Sequence, residues 1–162
     1  MKLRSLTSAF ALAAMLFAGN ANAETLDAQE IKRLLEQPEM LDNNELSPDP
    51  VEQAKQVEAM IEVVFEPLEQ RVPGIVDKVI DITDCESGLN HLWPDGTLKI
   101  NPDPKSSAAG AMQILLITHR PDYQRVGLDP KNAPENFIFG RYMIERKLKQ
   151  GRKNPYEDWV CA

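Results

Sequence analysis

Apolar side chains recur with a helical period at three places along the chain. Val51, Ala54, Val57, Met60, Ile61, Val64 and Leu68 fall three or four residues apart, the spacing that gathers side chains on one helix face. Asp49 is a candidate N-cap, Pro50 suits the first helical position, and Pro67 should end or kink this helix. After Pro73-Gly74, a second stripe runs through Ile75, Val76, Val79, Ile80 and Thr83, with Gly88 as its stop. The third begins at Asn132, which stands at capping-box spacing from Glu135, and runs to about Gln150, closed by Gly151.

Between these helices the pattern changes. Trp93-Pro94-Asp95-Gly96-Thr97-Leu98-Lys99-Ile100 predicts a small hairpin around an Asp-Gly turn, followed by a proline-rich loop over residues 101–105. An apolar segment follows through Ile117, then a short helix ending at Gly127. Asn154-Pro155 can start a final turn. Residues 24–46 hold only a sparse apolar pattern (Leu26, Ile31, Leu34, Leu35), which predicts a short, weakly held helix or a flexible arm. The expected class is α+β and mostly α, with one minor hairpin.

The first 23 residues have a different character. Lys2 and Arg4 precede ten unbroken apolar residues, 9–18, and Ala21-Asn22-Ala23 has the small-x-small form of a cleavage site. Ten apolar residues are too few to span a bilayer, so the segment reads as a secretory signal cut after Ala23, not as a membrane anchor. The expected location is periplasmic or secreted.

Composition sharpens the picture. In 162 residues there are 25 acidic and 18 basic side chains, a formal charge of −7, which argues against binding nucleic acid or anionic membrane by bulk electrostatics. The imbalance is local. Residues 24–72 hold thirteen acids and four bases, a net of −9, whereas residues 73–162 hold twelve of each. We therefore divide the chain into a signal (1–23), an acidic arm and helix (24–72) and a compact neutral domain (73–162). The acidic run is read first as a solvated face, with a docking tail as the alternative. In an oxidising compartment Cys85 and Cys161 are expected to pair. Two cysteines and two histidines, His91 and His119, offer no ligand-spaced metal motif.

Glu86, at the end of an apolar helix, is the sharpest chemical feature. Burial against a core favours the protonated carboxyl that a general acid needs. Helix ends also often carry a polar residue facing water, so position alone is weak evidence. Glu86-Ser87-Gly88 after a helix, followed by Gly110-Ala111-Met112-Gln113-Ile114, resembles the signature of lytic transglycosylases. Asn136-Phe137-Ile138-Phe139-Gly140-Arg141-Tyr142-Met143 is similar to that family's late helix, and a terminal Trp159-Val160-Cys161 also occurs in some small secreted members. The resemblance covers about residues 75–162. It implies a lysozyme-like fold, related in architecture to goose-type lysozymes, acting on bacterial peptidoglycan strands.

The resemblance also implies roles. Glu86 would be the single catalytic residue, giving a proton to the glycosidic oxygen between N-acetylmuramic acid and N-acetylglucosamine. It would then take one from the muramyl 6-hydroxyl, which closes on C1 as a 1,6-anhydro sugar, so neither a metal nor a cofactor is needed. Gln113 would bind an N-acetyl group and Met112 would lie over the acid, with core filling equally open for Met112. The substrate serine is Ser107 or its neighbour Ser106. Tyr142 is a candidate sugar contact for which core packing is the preferred reading, and Trp93 could stack on a pyranose or simply pack. The family's Ala-Tyr-Asn motif has no clear match, and the stretch between Glu86 and Ser106 is longer than in compact members. Asp84, Asp95 and Asp103 are the possible second carboxylates, Asp95 being best explained by its turn. Three rivals stay open: a hydrolytic muramidase, a non-catalytic peptidoglycan-binding scaffold, and an accessory that clears wall for an envelope-spanning machine through its acidic arm.

Overall fold

The computed structural model describes residues 26–161. The expected signal over residues 1–23 lies outside them. Among the described residues the chain forms α1 (Ala28–Leu35), α2 (Pro50–Glu69), α3 (Ile75–Ser87), β1 (Ala108–Ala109), β2 (Ile114–Leu115), α4 (Arg120–Val126) and α5 (Ala133–Lys149). The two short strands pair antiparallel, so the fold is mostly helical with a minor sheet.

α2 starts where the Asp49-Pro50 pair predicts. The Asp49 carboxylate accepts from the Val51 and Glu52 amides at 2.9 and 3.0 Å, satisfying two of the free N–H groups of the first turn. The helix continues two residues past Pro67 to Glu69. Glu69 then accepts from the backbone N–H groups of Gly74 and Val76 at the start of α3, and these bonds hold its carboxyl below the usual range. The α2 and α3 stripes face each other, burying Val57, Met60, Ile61, Val64 and Phe65 against Ile75, Val79 and Ile82. α5 is covered on nearly all sides, as expected of a central helix. Its buried Arg141 donates to Glu145 at 3.1 Å and to the Val64 carbonyl at 2.9 Å, so the charge is paired and tied to α2.

Two local expectations are corrected and one is met in part. The short helix expected within residues 24–46 forms as α1, but it is firmly packed and not an arm: Ile31, Leu34, Met40 and Leu46 join the same core as α2, α3 and α5. The Leu26 amide donates to the buried Glu145 carboxylate at 3.1 Å. The capping box of α5 is not made, since Asn132 forms no side-chain cap bond. Asn43 caps that helix instead, accepting from Ala133 N at 2.9 Å and donating to Lys131 O at 2.9 Å, while Glu135 accepts from Asp129 N. The hairpin expected around Asp95-Gly96 forms only in miniature, as an antiparallel bridge from Leu92 to Leu98, and a second bridge joins Ile100 to Ala109 beside the sheet of residues 108–109 and 114–115. Trp93 N donates to Thr97 O at 2.8 Å and Lys99 N to His91 O at 2.9 Å, while Asn101 N donates to Ala108 O at 3.0 Å before Pro102 and Pro104, which lack a donor, end the pairing.

Candidate active site at the end of helix α3

Glu86 is half-buried in the last turn of α3. Its neighbour Cys85 is bonded to Cys161, with Cα atoms 6.0 Å apart, so the expected disulfide is present. The link brings residues 158–161 across the end of α3, where the Cys161 amide donates to Glu86 Oε1 at 3.3 Å. Lys99 approaches the same helix end: its ammonium donates to the Ser87 carbonyl and lies 4.7 Å from the centre of the Trp93 ring. A cation there complements the negative end of the helix, and partial burial pulls the Lys99 pKa down.

The turn over residues 110–113, which joins β1 to β2, is fixed by bonds from four directions. Ala111 N donates to His91 Nδ1 at 3.1 Å, and Met112 N donates to Asn136 Oδ1 at 2.9 Å. Trp159 Nε1 donates to the Met112 carbonyl at 2.7 Å, and Gln113 Nε2 to the Gly110 carbonyl at 2.8 Å. Gly110 has φ +73° and a Cβ there would stand 2.6 Å from both Asn136 Nδ2 and His91 Cε1. Both the backbone conformation and the lack of space therefore demand glycine.

The spacing of Asn136 and Gly140 acquires a physical reason. Four residues apart, they lie on one face of α5, where Asn136 holds the Met112 backbone and Gly140 leaves room for its side chain. A Cβ at 140 would strike Met112 Sδ and come within 2.8 Å of Cε. Met112 is fully buried and has nowhere to retreat. We expect Gly140→Ala to cost about 1–3 kcal/mol, the usual scale of overpacking. Urea unfolding checks this, and an unchanged midpoint would contradict the packing described.

His91 was not foreseen as a site residue, yet it organises this region. It is fully buried; Nδ1 accepts from Ala111 N and Nε2 donates to Lys131 O at 2.9 Å, which defines a neutral tautomer. Burial lowers its pKa to about 4, against the opposing pull of the Lys131 carbonyl. The unfolded chain, with an ordinary value near 6.5, binds the proton more readily between those limits. This contribution to stability is therefore complete above about pH 6.5 and is lost as pH falls toward 4, roughly 3 kcal/mol in all. Urea midpoints measured from pH 7.5 to 4.5 should fall accordingly. Equal midpoints across that range would exclude a buried neutral His91.

The other candidates separate. Ser107 Oγ accepts from Ile117 N at 3.1 Å, whereas Ser106 Oγ accepts from Ala108 N at 3.1 Å, so both hydroxyls brace the loops around the sheet. Gln113 lies in the turn itself at φ +47°, and its amide nitrogen donates to the carbonyls of Gly110 at 2.8 Å and Lys99 at 3.5 Å. Tyr142 is buried, stacked on Phe139 with centroids 5.7 Å apart, and its hydroxyl oxygen accepts from Arg125 at 2.6 Å; it holds α4 to α5. Asp95 accepts from Thr97 N and Oγ1, which lowers its pKa, and Asp103 accepts from Lys105 N. Asp84 is exposed. A separate shallow groove of about 400 Å³ lies between α2 and α3 and is lined by Glu62, Val63, Glu66 and Val76. Val76 stands ten residues before Glu86, about 15 Å along the helix axis, so the two sites are distinct.

Among the described residues no helix is long and apolar enough to cross a membrane, and no group of His, Cys, Asp and Glu could hold a metal ion. Comparison with protein-family models, curated proteins and solved structures finds no match to this chain.

Proposed function

We propose that this protein is a lytic transglycosylase with a lysozyme-like fold, exported to cut bacterial peptidoglycan between N-acetylmuramic acid and N-acetylglucosamine. The observation behind this reading is the placement of one half-buried carboxylate, Glu86, at a helix end pinned to the turn over residues 110–113. The carboxylates that could have served as a second catalytic group are exposed or tied into turns. That arrangement suits a reaction needing one acid–base group more than one needing two.

Glu86, protonated, gives its proton to the departing glycosidic oxygen. The resulting carboxylate accepts the proton of the muramyl 6-hydroxyl as that oxygen bonds to C1. The nucleophile belongs to the substrate, so its effective concentration replaces both water and a second carboxylate. Gln113 and one of Ser106 and Ser107 remain the proposed walls of the subsite, and the buried Met112 and Tyr142 would act from behind it through packing.

Digestion of purified sacculi followed by mass spectrometry tests the proposal. Anhydro ends, lighter by one water than reducing ends, are expected. Reducing ends alone would assign a hydrolytic muramidase, and intact sacculi with retained binding would assign a scaffold. We also propose that the exposed acids Glu36, Glu39 and Glu45 contact an envelope-spanning machine. Deleting residues 24–46 would uncover core side chains and uncap α5, so reversing these three charges is the cleaner test of pull-down against activity.

A further inference from the structure

We infer that residues 158–161 belong to the catalytic machinery, with Trp159 a positioning residue that sets the Glu86 carboxylate relative to the 110–113 turn. The inference rests on the proposed reaction and goes beyond it, because a disulfide alone does not aim a carboxylate. The Cys85–Cys161 bond fixes the backbone beside Glu86 and leaves the glutamate χ angles free. The Cys161 amide reaches the carboxylate itself, binding Oε1. Oε2 is thereby left to give and take the proton.

That amide can hold its place only if the residues before it are held. The Trp159 side chain is only 6% exposed, so its indole N–H must find a partner. It finds the Met112 carbonyl at 2.7 Å, at the centre of the turn. Two residues span at most about 7 Å, so one short piece of chain joins that carbonyl to Glu86. Asp158 pairs with Lys147 at 2.6 Å, laying the same piece on α5. α5 also supplies Asn136 and Gly140, which hold the turn. Acid and turn thus take their positions from one helix.

The test uses the full chain and purified sacculi, at temperatures well below each variant's melting midpoint. Trp159→Phe keeps the ring and removes the N–H. It should lower kcat about tenfold with KM within about twofold of wild type, as expected when orientation rather than binding is lost. Asp158→Asn, at a partly exposed site, should lower kcat less and in the same direction. Thiol titration should find the disulfide closed in both variants. Wild-type kcat in both, or a raised KM with kcat unchanged, would overturn the inference. A second readout needs no activity: amide exchange at Cys161 should quicken at least about tenfold in Trp159→Phe, and Glu86→Gln should shift the Cys161 amide resonance. An unmoved resonance and unchanged exchange would also overturn it. Sacculi left uncut by a wild type that shows both amide effects would sink the proposed reaction and leave the contact standing.

Discussion

Glu86→Gln should lower the rate of sacculus solubilisation by at least ~10²-fold, equivalent to about 2.7 kcal/mol of transition-state stabilisation. The substitution is nearly isosteric, and the amide oxygen can still accept from the Cys161 N–H that Glu86 engages. Folding and substrate binding should therefore survive while proton donation is abolished. Thermal midpoint and sacculus pelleting provide those controls. Turnover like that of wild type in a folded Glu86→Gln protein would refute the mechanism, whatever the products.

Reducing the disulfide should have the largest effect on stability. Cys85 and Cys161 are 76 residues apart, and closing a loop of that length is worth roughly 4–4.5 kcal/mol in the chain-entropy model, an upper figure because native strain subtracts from it. For a chain of this size that corresponds to a fall in Tm of roughly 8–16 °C. Activity should fall at temperatures where the reduced domain is still folded, because residues 158–161 lose their covalent tie beside Glu86. A Cys85→Ser/Cys161→Ser variant with unchanged Tm would show that the bond contributes nothing. Two free thiols in the denatured, unreduced protein would show that it does not form.

The long helices were legible because each buries one face over several turns, and burial at period 3.6 leaves its mark on the order of residues. α2 from Pro50, α3 ending before Gly88, and α5 ending near Gln150 all follow from that pattern and from local caps. Two-residue strands have no room for a period of two, which is why residues 108–115 read only as part of an apolar segment. The caps that misled are those supplied from a distance. Asn43 serves α5 from 90 residues away, and only folding brings them together. Gln53 is similar: buried in α2, it accepts from the amides of His91 and Leu92 at 2.7 and 2.8 Å. Nothing local marks it apart from any helical glutamine. For the candidate site, the residue types of the turn and of Asn136 and Gly140 were readable by resemblance. Their physical partnership was not, since it depends on a carbonyl, an amide and a cavity to which local spacing gives no clue.

The same disulfide has a consequence in time. Cys161 leaves the ribosome 76 residues after Cys85, a delay of roughly 4–15 s at ordinary elongation rates of 5–20 residues per second. During that interval α3 can form and present Glu86, but neither the indole that holds Met112 nor the amide that holds the carboxylate yet exists. The core helices can assemble first, and the parts that aim the acid arrive last. A chain interrupted before residue 159 would keep most of its hydrophobic centre and lack both of those contacts.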